Sequence, residues 1–82
     1  MSNSVFVSQD YGKIVFSFRK VMDDKKINRN QLCKLTGVRF EVADRFYNGN
    51  IERLDIDVLA RICFALDCDI ADVIKFDRGK YR

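Results

Sequence analysis

The pattern that decides the fold lies in residues 27–50, INRNQLCKLTGVRFEVADRFYNGN. Asn28 is a residue type that caps helices, and it precedes a predicted helix over about 29–36. Gly37 follows at the point where a left-handed residue would end that helix. A further helix, over about 39–47, begins almost at once. Two short helices joined by a tight turn that contains glycine predict a helix-turn-helix.

The side chains within this stretch suit the close packing of two helices. Cys33 is small and lies four residues before the glycine, where the helices must approach each other. Val38 offers an apolar plug for the turn, and Asn48-Gly49 is a second turn signal that closes the later helix. The residues expected on the buried sides of the two helices are Leu32, Cys33, Leu35, Val42, Ala43 and Phe46.

Helical periodicity continues before this stretch. Apolar residues at i, i+3, i+4 and i+7 predict an amphipathic helix over 11–25, with Asp10 as its N-cap and Lys25-Lys26 at its C-terminal end. Its apolar stripe consists of Tyr11, Ile14, Val15, Phe18, Val21 and Met22. Residues 4–8, SVFVS, are β-prone and predict a short N-terminal strand or an ordered arm.

Two more helices are predicted after the stretch. The first, over about 55–66, presents one apolar stripe. The second, over about 70–75, follows Asp69 as its N-cap, with Asp72 three residues later. The residues assigned to the core from residues 27–66 include Leu32, Val38, Leu59, Ile62, Cys63 and Leu66.

The domain organisation that follows is simple. We predict a single all-α domain of five helices over 11–75. An arm or strand over 1–10 precedes it, and a basic tail over 76–82 follows it.

Charge is distributed unevenly along the chain. The formal net charge of +3 conceals nine basic and five acidic side chains within residues 19–53. Residues 54–74 carry five aspartates and one arginine. A basic region that contains the helix-turn-helix suits an anionic partner.

Several classes of function are disfavoured by composition. The chain has no histidine, so the commonest general base and the commonest zinc ligand are missing together. Cys33, Cys63 and Cys68 form no C-x-x-C pair, and the spacing of the last two would not place them on one face of a helix. We therefore expect no enzyme, no cofactor, no metal site and no small-molecule ligand. No transmembrane segment or secretory signal is visible, and we expect a cytoplasmic protein without a membrane partner.

Four segments of the sequence resemble the Cro/repressor-type helix-turn-helix proteins, the Xre family. They are YGKIVFSFRKVM (11–22), INRNQLCKLTGV (27–38), VRFEVADRFYNGN (38–50) and LDIDVLARICFALDCDIADVI (54–74). The last is similar to a branch of small, single-domain regulators. The resemblance implies a five-helix lambda-repressor-like fold, binding of double-stranded DNA through the third helix, and a homodimer.

The resemblance also implies which residues meet DNA. The exposed face of the third helix would enter the major groove, whose base edges carry a readable pattern of donors and acceptors. The residues assigned to base reading are Phe40, Glu41, Asp44 and Arg45. Those assigned to phosphate contacts are Asn28, Arg29, Arg39, Asn48, Gly49, Asn50 and Arg53.

Two features leave alternatives open. Ile14 and Phe16 are apolar where the family is usually polar, so a dimer contact or an arm contact is predicted for Val5, Phe6, Val7, Ile14 and Phe16. Glu41 and Asp44 would face the phosphate polyanion, which weakens non-specific affinity. The preferred function is a sequence-specific transcriptional regulator. The alternative is a protein-interaction module that keeps the fold but binds DNA weakly or not at all.

Overall fold

The computed structural model describes residues 11–79 and contains five helices and two strands in that range. In chain order they are β1 (Lys13–Phe16), α1 (Phe18–Asp24), α2 (Arg29–Thr36), α3 (Phe40–Asn48), α4 (Ile56–Leu66), α5 (Ile70–Val73) and β2 (Ile74–Asp77). The predicted architecture of five helices is confirmed, with the addition of a small antiparallel sheet. No helix within the described range is long and apolar enough to cross a bilayer.

The predicted helix over 11–25 is wrong in its first half. Residues 13–16 form β1, and α1 begins only after Ser17. β1 pairs with β2 so that Ile14 lies opposite Phe76, and Phe16 lies opposite Ile74. Ile14, Val15 and Phe16 form a short continuous apolar run, which fits a helix or a strand equally well, and the pairing with a distant strand decides between them. Asp10, the predicted N-cap, and the β-prone residues 4–8 lie outside the described residues.

The predicted helix over 70–75 is too long. α5 ends at Val73, and Ile74 already has extended backbone angles. The backbone N–H of Ser17 donates to the Val73 carbonyl at 2.7 Å, which ties the start of α1 to the end of α5. The domain boundary set at residue 75 therefore falls inside β2.

The core is formed where all five helices meet. Its fully or nearly fully buried apolar residues are Phe18, Met22, Leu32, Ala43, Phe46, Leu59, Ile62, Leu66 and Val73. The ring of Phe18 meets that of Phe46 edge-on, with centroids 5.0 Å apart, which joins α1 to α3. Val38, Val42 and Cys63 are partly buried and pack against this cluster.

Leu35 is the exception among the predicted core residues, because its side chain is 59% exposed. Thr36 takes the buried position instead, one helical turn after Leu32. Its hydroxyl donates to the Leu32 carbonyl at 2.7 Å and accepts from the Val38 N–H at 3.2 Å. Because both hydrogen bonds are made, burial of the hydroxyl leaves no unsatisfied polar group in the core.

Gly12 allows the chain before β1 to approach the end of β2 closely. Its φ is +100°, and a Cβ at this position would overlap the Asp77 carbonyl oxygen of the opposite strand. Gly12→Ala should lower the free energy of unfolding by about 2 kcal/mol, because it adds this overlap to the strain of a positive φ. Urea titration of the two proteins measures the difference.

Gly79→Ala is the matched control for that variant. Gly79 also has a positive φ, +74°, but a Cβ there meets no atom within 4 Å. Gly79→Ala should lower the free energy of unfolding by about 1 kcal/mol, which is the strain of the positive φ alone. An equal loss at the two positions would contradict the role given to the close approach of Gly12 and Asp77.

Candidate nucleic-acid interface

The helix-turn-helix is formed by α2, α3 and the turn at Gly37. Asn28 Oδ1 accepts from the Gln31 N–H at 2.8 Å, and Gln31 Oε1 accepts from the Asn28 N–H at 2.8 Å. This capping box starts α2 where the sequence predicts it. Gly37 has a φ of +80° and ends the helix, with its N–H donating to the Cys33 carbonyl at 2.8 Å. The predicted bounds of α2 are confirmed.

α3 exposes one face and buries the other. Ala43 and Phe46 are buried, whereas Phe40, Glu41 and Arg45 are exposed and Asp44 is half-buried. Arg39 stands at the N-cap without a side-chain capping bond. The structure therefore places the four predicted base-reading residues, Phe40, Glu41, Asp44 and Arg45, on the outer side of α3.

The end of α3 uses the backbone amides of Gly49 and Asn50, two residues predicted to contact phosphate, for its own hydrogen bonds. Gly49 is left-handed, and its N–H donates to the Phe46 carbonyl at 3.2 Å. The Asn50 N–H donates to the Arg45 carbonyl at 3.0 Å. These two bonds form a Schellman ending. Because both amides are satisfied within the helix end, contacts from this turn would come from the exposed side chains of Asn48 and Asn50.

Arg29 joins α2 to the outer side of α3. Its guanidinium donates to Asp44 Oδ1, and its central carbon lies 5.4 Å from the ring centroid of Phe40 and 5.3 Å from that of Tyr47. Asn48 Nδ2 donates to the same Asp44 oxygen at 3.1 Å. We call Arg29, Phe40, Asp44, Tyr47 and Asn48 the Arg29 cluster. It places a cation beside Asp44, one of the two acids of α3, whereas the other acid, Glu41, forms no ion pair within residues 11–79.

Tyr47 is the member that the sequence analysis missed. Its ring also lies under Arg19, with 4.7 Å between the guanidinium carbon and the ring centroid. Its hydroxyl donates to Asp23 Oδ1 at 3.0 Å. The signal was present in the spacing, because Phe40, Asp44 and Tyr47 follow i, i+4, i+7 along one flank of α3.

Arg45 and Arg53 border a common open groove. It lies between the end of α3 and the loop that leads to α4, and it has a volume of about 870 Å³. The acidic residues Glu52 and Asp55 also line it. Asp55 is engaged as the N-cap of α4, where its side chain accepts from the Asp57 and Val58 N–H groups. The two arginines, predicted for base and phosphate contacts, are thus brought to one edge of the helix-turn-helix.

The predicted dimer or arm residues divide into two groups. Val5, Phe6 and Val7 lie outside the described residues. Phe16 packs against the core, with its ring 6.2 Å from that of Phe18, whereas Ile14 is half-exposed on β1.

Cys63 and Cys68 lie together, although their spacing predicted otherwise. Asp67 ends α4 in a left-handed conformation, and the chain turns back so that the Cys68 N–H donates to the Cys63 carbonyl at 3.1 Å. Burial, with a contribution from the neighbouring thiol of Cys63, raises the pKa of Cys68 to about 11. Burial also raises the pKa of Cys63, although the hydrogen bond with Cys68 opposes it. Both thiols are therefore protonated near neutrality and are poor nucleophiles. Residues 11–79 contain no group of three or more side chains suited to hold a metal ion.

Comparison with known proteins agrees with this geometry. The model of the Cro/C1-type HTH DNA-binding domain matches residues 17–78. The crystal structure of transcriptional regulator VanUg, Form II, is similar in fold, with a TM-score of 0.64 and 24% sequence identity over 83% of this chain and 91% of that chain. No curated protein sequence matches. Because the family model covers most of the sequence, including the helix-turn-helix, the chain belongs to the Cro/C1-type HTH DNA-binding domain family.

Proposed function

We propose that the protein is a sequence-specific transcriptional regulator that binds double-stranded DNA as a homodimer with α3 in the major groove. The observation that supports this most is the outer face of α3, where Glu41 and Arg45 are exposed beside the Arg29 cluster. A helix whose free side carries exposed donors and acceptors can form hydrogen bonds with base edges.

The roles of the side chains on α3 differ in this proposal. Arg45 donates two hydrogen bonds to a guanine, and Glu41 accepts from a cytosine amino group. Phe40 lies against a thymine methyl group. Asp44, assigned to base reading from the sequence, holds Arg29 in place through their ion pair. It acts indirectly, by fixing a cation that contacts phosphate.

Phosphate contacts come from the rim of the same surface. Arg29, Arg39 and Arg53 supply the cations, and Asn28, Asn48 and Asn50 supply side-chain amides. Gly49 ends α3 and brings these side chains to the rim, but its own amide is used inside the helix end and is not assigned to a phosphate. These contacts set the position of the domain on the duplex and carry no sequence information.

Selection of bound sequences from random double-stranded DNA at controlled salt tests the proposal. A recovered palindrome with half-sites about 34 Å apart would support both sequence-specific binding and a two-fold dimer. Recovery of no preferred sequence at any salt concentration would contradict it.

Arg45→Ala should cost about 1–3 kcal/mol of binding free energy on the selected site and relax the preference at one base position. The reason is the loss of a bidentate contact, which discriminates one base from the others. Competition binding against single-base variants of the site measures both effects. Arg39→Ala is the control and should weaken binding about equally on all sequences. If Arg45→Ala also weakens binding equally on all sequences, Arg45 does not read a base.

A second function is favoured by one observation. The exposed ring of Phe40 and the adjacent carboxylate of Glu41 form a mixed apolar and acidic surface, which would suit a protein partner. In that case the purified protein would show no sequence preference for DNA.

A further inference from the structure

The outer face of α4 carries an apolar stripe that no other element within residues 11–79 covers. Ile56 is 73% exposed, Phe64 is 89% exposed, and the exposed Ala60 lies midway between them. The three residues follow i, i+4, i+8, and we call them the α4 stripe. The buried residues of α4 point the opposite way, since Leu59, Ile62 and Leu66 are all in the core. Phe64 is thus the most exposed large apolar side chain among residues 11–79.

We propose that the α4 stripe is the surface through which a second copy of this chain binds, with the two α4 helices antiparallel around a two-fold axis at Ala60. The inference rests on the proposed homodimer and identifies its interface. A two-fold interface brings residue i against residue j and j against i. Phe64 of each copy then packs on Ile56 of the other. The small Ala60 allows the helix axes to approach to the ordinary packing distance of about 8–10 Å.

The charges beside the stripe support this arrangement. Arg61 Nε lies 2.9 Å from Asp57 Oδ2, and both residues are on the same flank of the α4 stripe. A two-fold axis perpendicular to both helices brings this flank of one copy alongside the same flank of the other, with the helix direction reversed. Asp57 of each copy then lies next to Arg61 of the second copy. A parallel pairing would place the two flanks on opposite sides of the interface.

Arg61 has donors for both partners. Its Nε faces Asp57 of the same helix, and its Nη1 donates to the Thr36 carbonyl at 3.3 Å. A guanidinium carries five N–H donors, so further N–H groups can reach Asp57 of the second copy. The result is a pair of symmetric ion-pair networks along one side of the interface.

The two-stranded sheet is the competing surface. Ile14 and Phe76 lie opposite each other on it and are each about half-exposed. That face continues into Phe16 and Ile74, which already pack on the core of their own domain. The α4 stripe has greater exposure and flanking charges that complement themselves, and these two properties favour it for the second copy.

Sedimentation equilibrium of the full chain without DNA tests the proposal. The wild-type chain should associate to a dimer, and Phe64→Asp should raise the dimer dissociation constant about tenfold or more, because it puts a charge against the apolar Ile56 of the second copy. Phe76→Asp, the same change on the sheet, should leave the constant unchanged. Circular dichroism checks that both variants are folded. The proposal is overturned if the wild-type chain stays monomeric at every concentration, or if Phe76→Asp and not Phe64→Asp separates the copies.

Charge reversal tests the antiparallel arrangement. Asp57→Arg should weaken the dimer, because it places an arginine beside Arg61 of the second copy. Asp57→Arg combined with Arg61→Asp should recover much of the association, since the opposite charges meet again. No recovery in the double variant would reject the antiparallel pairing.

DNA binding is measured separately on a single half-site. A monomeric Phe64→Asp variant that still binds the half-site supports the surface and the proposed function together. A wild-type dimer that depends on Phe64 but binds no DNA would support the surface and contradict the proposed function.

Discussion

Raising the monovalent salt from about 50 to 200 mM should lower the affinity of the protein for DNA by a factor of about 10³ or more. The physical reason is counterion release, since each neutralised phosphate frees bound cations from the duplex. Arg29, Arg39, Arg45 and Arg53 surround the exposed face of α3, and a dimer doubles their number. Fluorescence anisotropy with a labelled duplex gives the slope of log affinity against log salt.

Arg53→Ala sharpens this measurement. It should reduce the magnitude of the salt slope by about one for each copy that contacts DNA, with little change in base preference. Lys34→Ala, at an exposed basic residue of α2 outside the predicted contacts, is the matched control and should leave the slope unchanged. A salt-insensitive interaction, or no interaction with DNA at low salt, would favour the alternative function as a protein-interaction module.

Phe46→Ala should lower the free energy of unfolding by about 3–5 kcal/mol. Phe46 is buried in the core and packs edge-on against Phe18, so its removal leaves a cavity between α1 and α3. A small domain has a total stability of about 5–10 kcal/mol, and the variant should be close to its unfolding midpoint at moderate temperature. Urea denaturation followed by circular dichroism measures the loss.

Phe64→Ala removes the same atoms from the surface of α4 and serves as the control. Measured in dilute solution, where association of copies does not contribute, it should change the free energy of unfolding by less than about 0.5 kcal/mol. Equal losses for the two variants would contradict the burial that distinguishes them. Phe46→Ala should also lose DNA binding as the temperature rises, because α3 is held to the core through this ring.

The features that the sequence predicted well are set by local chemistry. α2 begins after Asn28 and ends at Gly37 because a capping box and a left-handed glycine act within a few residues. The end of α3 at Gly49 follows the same rule. Periodicity was sufficient for α4 because the helix is long enough to show a clear apolar stripe.

The features that the sequence did not predict depend on residues far apart in the chain. Residues 13–16 form a strand because β2, some 60 residues later, supplies the hydrogen bonds, and no local pattern reveals that partner. The pairing of Arg29 with Asp44 depends on how two helices cross. Cys63 and Cys68 meet because Asp67 adopts a left-handed conformation that its residue type only weakly favours.

The candidate site shows the same division. The family resemblance assigned Phe40, Glu41, Asp44 and Arg45 to the exposed face of this helix, and the structure has them on its outer side. The sequence could not predict which of the four side chains is free to contact a ligand, because that depends on the side chains that α2 extends toward α3. Asp44 is half-buried and bonded, whereas Arg45 is exposed.

The pairing of β1 with β2 has a consequence for the order of elements along the chain. Lys13 lies opposite Asp77, so the first and last described elements run side by side and in opposite directions. Neighbouring antiparallel strands are separated by only about 5 Å. A short linker could therefore join residue 79 to residue 11, and new ends could be opened in the exposed stretch 52–55 between α3 and α4. The topology thus admits a circular permutant in which the helix-turn-helix becomes C-terminal and the sheet is formed by a single hairpin.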